Sequence, residues 1–216
     1  MRTRCIETSR RLGLLLAICL IATGLRAATP QKTLVCFGDS ITAGYGLDES
    51  KSYPAALGDL LGNRGYHYHV VNQGVSGNTT KDAVARVNSI VALRPEVVVV
   101  EFGGNDGLRG TDPHEMEANL TAILDTFAAR HIPTLLSGMF APPNLGAAYA
   151  AQFRAVFTKL GKRPGLMYDP FFLAGIAGDP SFNQADHIHP NPTGVKIIVT
   201  RLKPLIEKLL DEVPPG

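Results

Sequence analysis

The chain has 216 residues, enough for one compact domain with a substantial buried core. Hydrophobic residues make up 45% and charged residues 19%, which argues against intrinsic disorder. The formal net charge of +2 gives no basic footprint for nucleic acid, and none is expected as a partner.

Residues 1–27 read as an export signal. Arg2, Arg4, Arg10 and Arg11 form a basic start, residues 12–21 are an almost unbroken apolar run, and small residues lead to Ala27 and Ala28. The run is shorter than the roughly 20 apolar residues of a bilayer span. The expectation is therefore a periplasmic or secreted protein with no stable membrane insertion once the signal is removed. Without residues 1–27 the chain keeps 16 basic and 18 acidic residues, about −2, so the basicity belonged to the signal. Cys5 and Cys19 go with it, and the remaining Cys36 has no partner for an internal disulfide. Lying inside an apolar run, Cys36 reads as a buried, inert thiol. Residues 28–216 are expected to form a single domain.

Along that domain, strand and helix patterns alternate. Residues 33–37 (TLVCF) are a short apolar run ending at Gly38, and residues 53–61 place apolar side chains at helical spacing. Residues 68–72 read as a second strand and 81–93 as a helix. The clearest strand is 96–102 (EVVVVEF), whose unbroken run of valines implies cover on both faces. A helix over 113–131 puts Met116, Leu120, Ile123, Leu124 and Phe127 on one face. Strand 134–139, helix 149–160 and strand 166–168 follow. The last helix, 192–210, starts after Asn191 as N-cap. Five alternations predict a three-layer α/β/α domain with a five-stranded parallel sheet. Ligands of such sheets bind at the carboxyl ends of the strands, where Gly38-Asp39-Ser40, residues 72–80 and residues 103–106 fall.

Several of these residues can do chemistry. Ser40 stands at a strand-to-helix turn, where Ser and Asp also serve as plain helix caps. A serine hydroxyl becomes nucleophilic when a base takes its proton, and a carboxylate orients that base. Asp186-His187-Ile188-His189 places a carboxylate and an imidazole three residues apart on one loop. His187 competes for the base role, and Asp186, His187 and His189 also admit a reading as metal ligands. Asn105 after Gly103-Gly104 offers an amide to a developing oxyanion, or simply forms a turn. Gly74 and Gly77 are candidate backbone donors or flexible loop residues. The sequence contains no Gly-x-Ser-x-Gly elbow, Walker loop, His-Glu-x-x-His or Gly-x-Gly-x-x-Gly, which removes support for α/β-hydrolase, nucleotide, zinc-protease and dinucleotide chemistry.

Gly38-Asp39-Ser40, the segment from Asn72 to Thr79, Gly103-Gly104-Asn105-Asp106 and Asp186-x-x-His189, in this order, resemble the four blocks of the SGNH, or GDSL-type, hydrolases. The run Gly103 to Gly110 (GGNDGLRG) is similar to the periplasmic acyl-CoA thioesterase, lysophospholipase and arylesterase branch. The resemblance implies a flavodoxin-like sheet and a serine hydrolase of carboxylic esters and thioesters. It implies Ser40 as nucleophile, His189 as base and Asp186 as its orienting carboxylate. The oxyanion donors it implies are the Ser40 N–H, the Gly77 N–H in preference to Gly74, and the Asn105 amide. No metal or organic cofactor is implied. The apolar, turn-rich segment 138–146 is expected to wall an acyl groove through Phe140, Pro142 and Leu145. The expected partner is a small acyl ester or thioester, and the expected state a monomer. A carbohydrate acetylesterase of the same family and a non-catalytic exported binding protein are the competing readings.

Overall fold

The protein is described here from a computed structural model covering residues 31–213; the expected export signal lies outside the described residues. Five parallel strands, β1 (Lys32–Gly38), β2 (Tyr68–Gly74), β3 (Val97–Glu101), β4 (Thr134–Ser137) and β5 (Leu166–Asp169), form one sheet in the order β2-β1-β3-β4-β5. Val97 to Val100 are wholly buried, as a continuous valine run in a doubly covered central strand requires.

Among the described residues seven α-helices connect and cover the sheet: α1 (Ser40–Ala43), α2 (Tyr53–Asn63), α3 (Thr80–Ala92), α4 (Gly104–Arg109), α5 (Pro113–Ala128), α6 (Gly146–Leu160) and α7 (Pro192–Glu212). Helices α2 and α7 pack together on one side, and α3, α5 and α6 form the other layer. The predicted face of α5 (Met116, Leu120, Ile123, Leu124, Phe127) is buried throughout. Phe37 of β1 meets Phe102 and Phe127 edge-on, with ring centroids 4.8 and 6.4 Å away, a favoured aromatic geometry. Asn191 caps α7 by accepting the N–H groups of Thr193 and Gly194 at 2.9 and 3.1 Å. Arg201 then fastens α7 to the end of β5, donating to both oxygens of the buried Asp169.

The sheet order reverses between β1 and β3, and crevices in open α/β sheets form at such switch points. Gly38 at the end of β1 is in register with Glu101 at the end of β3 and Gly74 at the end of β2. The loops leaving these three positions carry the candidate nucleophile and oxyanion donors.

Candidate active site

Asp39 caps α1, its Oδ1 accepting the Ile41 N–H at 3.0 Å. Capping and chemistry are thus divided between neighbours: Asp39 satisfies the helix start, and Ser40 occupies the first helical position. Among the described residues no acceptor takes the Ser40 N–H. The turn is tight because Gly38 has no side chain; a Cβ there would stand 1.9 Å from Thr42 Oγ1 and 2.6 Å from Glu101 Oε2.

Across the crevice, His189 Nε2 lies 2.8 Å from Ser40 Oγ, and His189 Nδ1 lies 2.6 Å from Asp186 Oδ2. Asp186 Oδ1 accepts the N–H groups of Ile188 and His189, both at 3.0 Å. This closed turn carries His187 into the left-handed region, at φ +58°. Partial burial pushes the Asp186 carboxyl up, but the bonds from the His189 ring and from the His189 and Ile188 N–H groups outweigh it. They hold the carboxyl at about 2. An ionised Asp186 draws the imidazole proton to Nδ1 and leaves the Nε2 lone pair facing the serine hydroxyl. Gln184 ties this loop to the serine side, donating to Tyr45 O at 2.7 Å and Pro190 O at 3.1 Å. The Tyr45 ring lies over His189, centroids 4.6 Å apart.

The second block is a turn closed by Asn78 N–H donating to Val75 O at 3.1 Å. Its third residue, Gly77, has φ +84°, the conformation that a type II turn reserves for glycine. The Gly77 N–H finds no acceptor among the described residues, whereas the Gly74 N–H is taken by Asn72 Oδ1 at 2.9 Å. The Asn105 amide reaches the same space, donating to Asp39 Oδ2 and to Asn78 O, both at 3.0 Å.

Beneath these groups lie two buried carboxyls. Burial pushes Asp39 up to about 6, helped by the charge of Asp106 and opposed by the Ile41 N–H, the Asn105 amide and the attraction of His189. Glu101 accepts from Thr42 Oγ1 at 2.7 Å and from the Asp39 N–H at 3.5 Å. Burial, and after it the charge of Asp39, raise Glu101 well above the carboxylate range.

Comparison with known proteins places this geometry. The GDSL-like lipase/acylhydrolase family model matches residues 36–197. The chain is 38% identical over 199 residues to "Esterase TesA" of Pseudomonas aeruginosa, covering 90% of this chain and 99% of that protein. It is 35% identical to "Thioesterase 1/protease 1/lysophospholipase L1" of Escherichia coli, covering 87% and 90%. The crystal structure of TesA superposes with a TM-score of 0.78 at 37% identity, over 82% of this chain and 99% of that one. The chain belongs to the GDSL-like lipase/acylhydrolase family.

In this family member, a groove of about 510 Å³ opens beside the serine, from Ile41 and Gly104 along Leu108, Met139, Phe140 and Pro142 to Phe171 and Ile188. Phe140 and Phe171 stack face to face, centroids 3.9 Å apart and planes 4° from parallel. Of the residues expected to wall an acyl groove, Phe140 and Pro142 line this one. Leu145 does not line the groove; it lies beside Gly110, within 3.9 Å of where a Cβ would stand, because after Pro143, which still lines the groove, the chain turns away into α6. His187 lines the groove with Ile188, and it is His189 that meets Ser40. Among the described residues no three His, Cys, Asp or Glu side chains assemble as a metal site; Asp186 and His189 bind each other while His187 faces the groove. No described helix is long and apolar enough to cross a membrane. Sequence reasoning missed Glu101, Phe171, Leu108 and Ile188. Ile188 had a local signal, an apolar residue set between the Asp186 and His189 pair.

Proposed function

We propose that this protein hydrolyses carboxylic esters and thioesters through an acyl-enzyme on Ser40. The observation that carries the reading is the unbroken relay from Ser40 Oγ to His189 Nε2 at 2.8 Å and from His189 Nδ1 to Asp186 at 2.6 Å. The names of its relatives, esterase, arylesterase and thioesterase/lysophospholipase, support the same chemistry.

Ser40 Oγ attacks the acyl carbonyl carbon as His189 Nε2 takes the hydroxyl proton, and Asp186 stabilises the imidazolium that results. The carbonyl oxygen becomes an oxyanion held by the N–H groups of Ser40 and Gly77 and by the Asn105 amide. Charge-assisted hydrogen bonds are about twice as strong as neutral ones, so the oxyanion draws an Asn105 N–H away from the Asn78 carbonyl. Collapse breaks the bond to the alkoxide or thiolate, which leaves with the proton from His189. Water then gives a proton to His189 and attacks the acyl-enzyme; collapse of the adduct breaks the bond to Ser40 Oγ, which takes that proton back from His189, and the acid is released. The acyl chain lies along Phe140, Phe171 and Ile188. Every step uses groups of this chain alone, and the site is complete within one copy, so a monomer is the working unit. The basic and apolar segment at residues 1–27 supports export to the periplasm or beyond.

The test is purified protein assayed on p-nitrophenyl esters from acetate to palmitate and on an acyl-CoA. Ser40→Ala should abolish turnover of both with an unchanged circular dichroism spectrum. Retained turnover overturns the nucleophile assignment.

A further inference from the structure

Helix α4 is fastened along its length to the second-block turn and to the start of α3. Asn105 at its start donates to Asn78 O at 3.0 Å. Asp106 accepts the Thr80 N–H at 2.9 Å and the Thr80 hydroxyl at 2.6 Å. Arg109 at its end donates from Nη2 to the Gly77 carbonyl at 2.8 Å. The first two contacts belong to residues with evident roles in the oxyanion hole or in the buried polar network. The third belongs to an exposed arginine that the hydrolytic steps leave without a task.

The carbonyl it holds is that of the glycine with φ +84°. The central peptide of this turn, between Ser76 and Gly77, carries the Gly77 N–H, and the Gly77 carbonyl belongs to the peptide that follows it. A glycine turns about its own bonds at little steric cost, so a hold on that following peptide fixes the position from which the N–H projects. On its far side the turn is pinned by the capping box of Thr79 and Asp82. On its near side the restraint on Gly77 itself is the guanidinium of Arg109, whose charge also acts favourably on Asp82 and Asp106. A planar donor fork at a fixed helix end suits this better than a flexible ammonium.

We propose that Arg109 is a positioning residue: by holding the Gly77 carbonyl it keeps the Gly77 N–H aimed at the oxyanion. This rests on the reading of Gly77 as an oxyanion donor. An exposed arginine at the mouth has one rival task, attraction of an anionic leaving group, and kinetics separate the two. Positioning acts on the transition state, so it lowers kcat for charged and neutral substrates alike. Anion attraction acts on KM, for the charged substrate only.

The experiment compares wild type, Arg109→Met, Arg109→Lys and Ser40→Ala on neutral p-nitrophenyl butyrate and on butyryl-CoA, with inactivation by a neutral phosphonate as third readout. Arg109→Met should lower kcat about tenfold on both substrates, less than the loss of a whole oxyanion donor, with KM within about twofold. Phosphonate inactivation should slow by the same factor, and Arg109→Lys should regain part of the loss at unchanged melting temperature. Unchanged kcat in Arg109→Met beside an inactive Ser40→Ala overturns the positioning role alone. A rise in KM confined to butyryl-CoA also overturns it, in favour of anion attraction. Turnover by Ser40→Ala overturns this proposal and the acyl-enzyme reading together.

Discussion

The two walls of the crevice are built from different materials. The wall that handles charge, formed by the Gly38-Asp39-Ser40 turn, α4 and the 75–78 turn, is joined by hydrogen bonds of 2.6–3.0 Å between groups far apart in sequence. It is underlain by two fully desolvated carboxyls. The wall formed by the groove, proposed above to receive the acyl chain, is apolar, and Phe140 and Phe171 stack on one another. Phe140, Ile188 and Leu108 remain 46%, 43% and 55% exposed. Preorganised dipoles stabilise a transition state only when they do not move. Apolar contact is non-directional and tolerates motion. The first wall should therefore govern kcat, and the second should govern KM and chain-length preference.

The harshest way to break that division is to remove the base. His189→Ala should cost at least about 10⁴-fold in kcat, as triad losses do. His187→Ala should change kcat/KM by no more than about fivefold, the worth of about 1 kcal/mol of groove contact. Steady-state kinetics on one ester decides the ranking, and the reverse order would mean that the imidazoles have been assigned wrongly. Asn105→Ala comes next, with a loss of about 100- to 1,000-fold in kcat and little change in KM. A loss seen mainly in KM would move Asn105 to the binding wall. Phe140→Ala sharpens the contrast from the other side. Its stacked ring contributes about 0.5–1.5 kcal/mol, so KM for octanoyl esters should rise about two- to tenfold while kcat and the acetate ester stay unchanged.

The smallest effect is on acid stability. The Asp186 carboxyl sits at about 2, below its ordinary 3.8, so it contributes stability above pH 4 that is lost as pH falls towards 2. Asp39 acts in the opposite sense. Its carboxyl is raised to about 6, which favours the folded state below pH 4 and is lost as pH rises through 6. Urea titrations of wild type and Asp186→Asn between pH 2 and pH 6 should converge at the acid end. A constant offset would mean that the ionisation of Asp186 contributes nothing to stability.

Much of this architecture was legible in the residues. The run Val97 to Val100 could only be a covered strand, and the spacing from Met116 to Phe127 could only be one helical face. All five strands appear in the expected order. Ser40, Asp186 and His189 were legible because the relay needs three distinct residue types and each stands beside a turn signal. What escaped depends on contacts across the fold. Glycine and Asn-Asp read as a turn in residues 103–106, yet the segment becomes α4 because Asp106 and Arg109 find partners in Thr80 and Gly77, 26 and 32 residues away. Glu101 looked like the tail of a strand; burial, and after it the charge of Asp39 set beside it by the β1–β3 register, raises its carboxyl well above the ordinary range. Phe171, 31 residues from Phe140 in the chain, lines the groove stacked on it. Leu145 was placed by proximity in sequence, and the turn into α6 carries it elsewhere.

The most direct test of the central claim is peptide mapping by mass spectrometry after inactivation with a serine-directed phosphonate. A single adduct on Ser40, formed at least about 10⁴-fold more slowly in His189→Ala and absent from Ser40→Ala, is the expected result. An adduct on another side chain, or inactivation of His189→Ala at the wild-type rate, would contradict it.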